Sequence, residues 1–266
     1  MSAAGPKTRA SIVVPTFREG PNLEPLIERT FAATSSAGIG AEMIIVDDNS
    51  QDETEEVVGA LASRHPVRLI VRRDERGLSS AVLAGFREAR FDVLVVMDAD
   101  LQHPPELVPV LIDRLAQPGC DFATGTRYAA DAEIAENWPW LRRLNSRLAI
   151  LLARPLTPLS DPMSGFFALR RETWMAADRL DPIGYKIGLE LYVKGRCRRP
   201  AEVPIRFGVR AHGTSKTSIA ERIRYLRHLR RLYVYRFAWG SRVAGSLLIA
   251  VVGLALWAFV NAVWFG

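Results

Sequence analysis

Two carboxylates stand one residue apart in Asp98-Ala99-Asp100, directly after the apolar run 93–97, and Gln102 follows two residues later. At a strand end such a pair can share a hard divalent cation, with the Gln102 amide oxygen as a third ligand. Mg²⁺ and Mn²⁺ prefer oxygen donors and keep positions for substrate phosphates. Without a cation, two acids this close repel. An isolated Asp-x-Asp is more readily a helix cap or an exposed turn. Here a second acidic pair, Asp47-Asp48, closes another apolar run at 43–46, which tilts the balance toward a metal site. His103 adjoins the motif; a lone histidine at a helix start reads first as structural and second as a ligand.

Other chemistries lack their motifs. No Gly-rich phosphate loop of the Walker or Rossmann kind, no Gly-x-Ser-x-Gly elbow and no His-Glu-x-x-His helix occurs, which speaks against an ATPase, a dehydrogenase, a serine hydrolase and a zinc protease. Two cysteines, Cys120 and Cys197, exclude a disulfide scaffold and a four-cysteine zinc site and read as reduced thiols.

The acidic pairs need elements to hold them. Short β-branched runs at 11–15, 43–46, 67–71, 93–97 and 121–124 alternate with helical patterns. The first helix begins at Pro21 with Leu23, Leu26, Ile27 and Phe31 on one face; others follow at about 53–63 and 79–89, and Pro104-Pro105 opens another. This alternation predicts an α/β domain with a mostly parallel sheet and helices on both faces. Ligands of such sheets bind beyond the carboxyl ends of the strands, where both acidic pairs fall. After Arg127 the pattern changes. Leu141, Leu144, Leu148 and Leu151 recur at helical spacing among Arg142, Arg143, Arg147 and Arg154. Ile219, Ile223, Leu226, Leu229 and Tyr233 do the same among further arginines. Basic amphipathic helices of this kind suit either a membrane interface or an ordinary packed surface.

The chain has 266 residues, 48% hydrophobic and 24% charged, which excludes a mainly disordered protein. Its formal charge is +6, but residues 205–242 alone carry +9, so the remainder is net acidic and the basicity is local. Residues 243–266 follow without a single charge. As a helix they would span roughly 36 Å at about 1.5 Å per residue, enough for a hydrocarbon core of about 30 Å. A buried core helix is the alternative, though core helices are usually shorter. Trp257 and Trp264 suit an interfacial belt, and the flanking arginines place the N-terminal part on the cytoplasmic side of a single-pass anchor. Residues 1–10 are polar and the apolar run 12–14 is too short for a secretory signal.

Several ordered segments carry a resemblance. Ile12-Val13-Val14-Pro15-Thr16-Phe17-Arg18-Glu19, Ile45-Val46-Asp47-Asp48-Asn49-Ser50 and Asp98-Ala99-Asp100-Leu101-Gln102-His103-Pro104 together resemble the inverting family 2 glycosyltransferases with a GT-A fold. Gly125-Thr126-Arg127-Tyr128, Asp161-Pro162-Met163-Ser164-Gly165-Phe166, Gly184-Tyr185-Lys186, Val203-Pro204-Ile205 and Arg210-Ala211-His212-Gly213-Thr214-Ser215-Lys216 narrow the resemblance to the dolichol-phosphate (polyprenol-phosphate) mannose synthases, over about residues 10–235.

The resemblance implies transfer of mannose from GDP-mannose to a dolichyl or undecaprenyl-type phosphate. It implies Mg²⁺ or Mn²⁺ on Asp98, Asp100 and Gln102, and it assigns catalysis to Asp98, Asp100 and Arg127. Pro15, Phe17, Glu19, Val46 and Asp48 would contact the nucleotide, and Ala99 the donor. Lys186, Arg210 and Lys216 would neutralise donor phosphates, while Arg127, Arg142 and Ser146 would grip the acceptor phosphate. Phe17 stands where the family usually has Tyr, so ring packing is kept and a phenolic hydrogen bond is not. The implied layout is a polar tail (1–10), a GT-A domain (11–217), a basic amphipathic interface helix (218–242) and a transmembrane helix (243–266). It admits a partner membrane protein. UDP-glucose or another nucleotide sugar is the alternative donor, and a non-catalytic membrane scaffold the alternative function. A processive polysaccharide synthase lacks its Gln-x-x-Arg-Trp sequence here. Nucleic acid is the more distant partner for the Arg-rich helix, given the apolar run beside it.

Overall fold

The computed structural model describes residues 8–129, 133–134, 140–181, 183–184, 186–208 and 219–237. Strand β1 (Thr8–Thr16) leads to α1 (Gly20–Ser36), β2 (Ile39–Asp47), α2 (Thr54–Leu61), β3 (Val67–Val71), α3 (Leu78–Glu88) and β4 (Val93–Val96). A 3-10 turn (Pro105–Leu107) precedes α4 (Val108–Ala116) and β5 (Phe122–Thr126). Then come β6 (Glu133–Ile134), α5 (Trp140–Ala153), β7 (Phe167–Arg170), α6 (Arg171–Ala176), α7 (Ile187–Lys194), β8 (Pro200–Pro204), β9 (Arg206–Phe207) and α8 (Ile219–Arg236).

Seven strands form one sheet in the order β3-β2-β1-β4-β7-β5-β8. Every pair is parallel except the two made by β7, which runs against β4 and β5. Strands β6 and β9 pair separately. The central strands are buried over their middle and carboxyl-terminal parts, as both covered faces of a parallel sheet require: Ile12, Val13, Val14, Met43, Ile44, Ile45, Val46, Leu94 and Val95 are all fully enclosed. Full burial of each such side chain is worth about 1.5–3 kcal/mol. Helix α1 presents Leu23, Leu26, Ile27 and Phe31 to this core, with Pro21 in its first turn, where a missing N–H costs nothing. Helix α4 buries Val108, Leu111, Ile112 and Leu115 at the same spacing.

All five expected strands are present. Strands β1 and β2 begin earlier than their apolar runs because Thr8 pairs with Ile39 and the ladder continues through half-covered residues. Pro104-Pro105 opens a 3-10 turn before the helix proper. Strands β7 and β8 were not expected from the sequence.

Chain order reverses between β1 and β4: β2 and β3 lie on one side and β7, β5 and β8 on the other. Crevices at such a switch point are where ligands bind. The backbone marks the same edge. Arg18, Asn49, Gln51 and Leu101 all have positive φ (61°, 58°, 54° and 60°), and they follow β1, β2 and β4 at their carboxyl ends. Non-glycine residues held there cost of order 1–3 kcal/mol each and cluster at functional sites.

The chain divides into two compact units, Met1–Thr217 and Ser218–Gly266. In the second, α8 is amphipathic: Leu229 and Leu232 are buried, and Arg224, Arg227, Arg230, Arg231 and Arg236 are exposed. Among the described residues no helix is long and apolar enough to cross a membrane. The expected span at 243–266 lies outside the described residues.

Candidate active site

The acidic turn continues β4. The Met97 amide still donates to Val13 O (3.2 Å), so Asp98 leaves the sheet at the switch point between β1 and β4. Asp100 and Gln102 are buried, and the Gln102 amide N–H donates to Asp100 Oδ1 (3.1 Å) across the left-handed Leu101. Gln102 Nε2 donates to Gly208 O (3.1 Å), while Gly208 N donates back to Gln102 O (3.0 Å). The side-chain amide therefore directs its nitrogen to backbone and has its oxygen as the remaining polar end. Asp98 lies under the segment that precedes β7. A Cβ at Gly165 would fall 2.5 Å from Asp98 Oδ2, so only glycine permits this approach.

His103 takes its structural role. It stacks on Phe166 (centroids 5.4 Å, 26°) and meets Phe207 edge-on (5.4 Å, 67°). Its Nδ1 is 3.7 Å from Asp98 Oδ2, beyond hydrogen-bond reach. Burial pushes its pKa down to about 4 against the pull of Asp100, so the ring is neutral at physiological pH.

On the β2 side, Asp48 follows the last residue of the strand. Arg72 donates to Asp48 Oδ1 through Nε (2.8 Å) and through a second guanidinium nitrogen, and Gly77 N donates to Oδ2 (2.7 Å). The same guanidinium reaches Ser80 Oγ (2.8 Å) and Gly77 O (2.9 Å). This network ties down the loop between β3 and α3, where Gly77 adopts φ 138°. Asp47 folds back on Ser50, accepting from its amide (2.8 Å) and its hydroxyl. Phe17 is half-buried, with the guanidinium carbons of Arg18 and Arg76 at 5.2 and 5.1 Å from its ring centroid. Glu19 Oε2 accepts from Asn22 Nδ2 (2.6 Å). Pro15 and Val46 are register partners with buried side chains, so they can serve a ligand only through backbone atoms. Ala99 is likewise almost fully buried.

On the β5 side, Arg127 and Asp161 form a fork-to-fork pair, Nε to Oδ2 at 2.6 Å and a terminal nitrogen to Oδ1 at 2.9 Å. Asp161 is wholly buried, and the guanidinium also lies over Phe207 (5.0 Å) and Tyr128 (5.7 Å). Burial opposes the charge on Arg127, but the Asp161 hydrogen bonds and charge outweigh it and its pKa is raised. Ser160 hydroxyl bridges Glu202 (2.8 Å) and Thr126 (2.6 Å), fixing the segment that carries Asp161. Ser146 on α5 shares a hydrogen bond with the hydroxyl of Tyr128 (2.6 Å), the residue that follows Arg127. Lys186 Nζ donates to Met163 O (3.1 Å), and Gly184 O accepts from Ser79 Oγ (2.8 Å), docking the Lys186 segment on α3. The side chain of Arg142, and Arg210 and Lys216 altogether, lie outside the described residues.

Asp98, Asp100, Gln102, Phe17, Asp48, Arg127, Ser146 and Lys186 thus stand along the carboxyl edge of the sheet or on segments tied to it. Among the described residues no cluster of three or more His, Cys, Asp or Glu is placed to hold a metal. The expected set has only two carboxylates and an amide, all hard oxygen donors, and the neighbouring imidazole is uncharged; the set suits a divalent cation that takes its other ligands from substrate and water. The sequence did not reveal Arg72, Arg76 or the pairing of Asp161. Their partners lie far away along the chain, where no local pattern reports them; Asp161 and Gly165 had a signal only as members of the quoted Asp161–Phe166 motif.

Comparison with known proteins agrees with this architecture. The family described as Glycosyl transferase family 2 matches residues 11–174. A protein of Pyrococcus furiosus named dolichol-phosphate mannosyltransferase is 43% identical, over 95% of this chain and 73% of its own length. Proteins of the same name from Mycosarcoma maydis and Saccharomyces cerevisiae are 46% and 48% identical, over 95% and 85% of this chain and 88% of each relative. Among solved structures, glucosyl-3-phosphoglycerate synthase from Mycobacterium tuberculosis in complex with phosphoglyceric acid superposes with a TM-score of 0.62 at 21% identity, covering 86% of this chain and 80% of that one. Its complex with Mn²⁺, UDP-glucose and phosphoglyceric acid gives 0.61 at 20% identity, over 86% and 80%. At that identity the likeness establishes the fold, a GT-A type α/β domain with a mostly parallel sheet.

Proposed function

The chain belongs to glycosyl transferase family 2 and is a glycosyltransferase, and from that premise we propose that it transfers mannose from GDP-mannose to a polyprenyl phosphate, with inversion. The relatives named dolichol-phosphate mannosyltransferase support the sugar and the lipid. The observation that carries the reading is the acidic turn 98–102, set at the switch point between a cluster suited to a nucleoside and another built on an arginine braced by a buried aspartate.

In this reading Phe17 supplies an apolar face for the base, and Asp48 accepts hydrogen bonds from nucleoside N–H or hydroxyl groups. Asp98, Asp100 and the Gln102 amide oxygen hold Mg²⁺ or Mn²⁺. When bound, such an ion stabilises the negative charge that develops on a departing diphosphate. Lys186, with Arg210 and Lys216, adds fixed positive charge to the same phosphates. The acceptor is a phosphate monoester, already ionised at neutral pH, so the chain need supply no general base. Arg127, Arg142 and Ser146 instead align the acceptor oxygen with the anomeric carbon, and arginine suits this because its planar fork matches phosphate oxygens. An isoprenoid tail leaves a bilayer only at great cost. The exposed arginines of α8 and the apolar residues 243–266 serve to hold the domain against the cytoplasmic face.

The test is incorporation of labelled mannose from GDP-mannose into polyprenyl phosphate by membranes carrying the chain, with Mg²⁺ present. A lipid-linked, acid-labile product is expected. Asp100→Ala should lower the rate by about 10²–10³ or more, with circular dichroism and membrane fractionation unchanged. Competition between GDP-mannose and UDP-glucose separates the two donors. Absence of lipid product with either donor overturns the reading.

A further inference from the structure

The loop 73–77 is exposed, yet it is not loose at its ends. Arg72 at one end and Gly77 at the other are both hydrogen-bonded to Asp48, and they are bonded to each other. The loop therefore hangs from the same carboxylate that the proposed function assigns to the nucleoside. Arg76 reaches back over the site, its guanidinium carbon 5.1 Å from the Phe17 ring centroid. Among the described residues the Arg76 side chain has no hydrogen bond or ion pair besides its contact with the Phe17 ring, so its donors are open to a ligand. Arg18 also lies over Phe17 (5.2 Å), but its backbone is fixed by a left-handed φ of 61° and by the bond from its amide to Ser50 Oγ (2.7 Å).

We propose that Arg76 is a donor-binding residue: the nucleobase enters between the Phe17 ring and the Arg76 guanidinium and is stacked on both faces. The inference rests on the nucleotide-sugar reading above and deepens it. Stacked planes approach to about 3.5 Å, so a base between the two groups needs about 7 Å. Arg76 must swing outward by roughly 2 Å from its present contact, a movement open to an exposed side chain on a surface loop. Guanidinium planes stack on aromatic faces and are weakly hydrated, so the contact survives desolvation. A phosphate is the poorer occupant, because it offers no plane to stack on the Phe17 ring. A purine, with two fused rings, covers more of both faces than a pyrimidine.

The experiment is calorimetric titration of the full chain with GDP, UDP and inorganic pyrophosphate in the presence of Mn²⁺. Arg76→Ala should weaken GDP by about 5–20-fold and UDP by less, with pyrophosphate unchanged. Arg76→Lys keeps the charge and loses the plane, so it should recover little of the GDP affinity. Unchanged GDP affinity in Arg76→Ala, an equal loss on pyrophosphate, or full recovery with lysine each overturns the stacking role. If the unsubstituted chain binds neither nucleotide, the nucleotide-sugar reading falls first, and this inference with it.

Discussion

The site contains two arginine–aspartate pairs, one buried and one half-buried at its arginine, and they are built with opposite polarity. In Arg72–Asp48 the acid stands at the end of β2 and the arginine braces it from behind, with further bonds to Gly77 and Ser80. In Arg127–Asp161 the arginine stands at the end of β5 under aromatic rings, and the wholly buried acid braces it. The same ion pair thus offers a carboxylate at one end of the crevice and a guanidinium at the other. A carboxylate suits a nucleoside, whose free groups donate hydrogen bonds; a guanidinium suits a phosphate, which only accepts them. In the proposed reading, one type of interaction orients the substrate through the choice of which partner faces the ligand.

The comparison can be broken most sharply at Asp161. Asp161→Asn leaves a guanidinium without its counter-charge, which should cost about 3–5 kcal/mol of stability in chemical denaturation. Among molecules still folded, KM for the polyprenyl phosphate should rise at least about tenfold, with the donor KM nearly unchanged. If donor KM moves instead, the polarity of this pair is assigned backwards. Arg72→Met is the mirror experiment, with a smaller loss because Asp48 keeps the Gly77 amide as a partner. We expect about 2–3 kcal/mol of destabilisation and a selective rise in donor KM, partly restored by Arg72→Lys. Gly165→Ala sharpens the comparison from between the two pairs. Its Cβ would press on Asp98, so kcat should fall about tenfold or more while both KM values stay within a few-fold and denaturation shifts by about 1–3 kcal/mol.

The acidic turn and the first five strands were legible because each is local: a short apolar run is followed by a turn, acidic after β2 and β4, and the next helix announces itself at a spacing of three and four. Helices α5 and α8 were legible for the same reason, their leucines and arginines separating onto faces. Strand β7 was not, since Phe167-Ala168-Leu169-Arg170 is four residues long and its pairing with β4 depends on a partner more than seventy residues earlier. Strand β8 hides in a sequence that opens on proline and alternates weakly. The braces Arg72 and Asp161 are surface-type residues in any local reading; only their partners, 24 and 34 positions away, take them inside.

The reversed direction of β7 decides which connection reaches the mouth of the crevice. In a wholly parallel sheet, only segments that leave a strand arrive there. A strand laid head to tail admits a segment on its way in, so residues 160–166 arrive at the carboxyl end of β4 and α6, on the way out, is sent to the opposite rim. Variation in the incoming segment would reshape selectivity directly, whereas changes in α6 would be felt through folding alone.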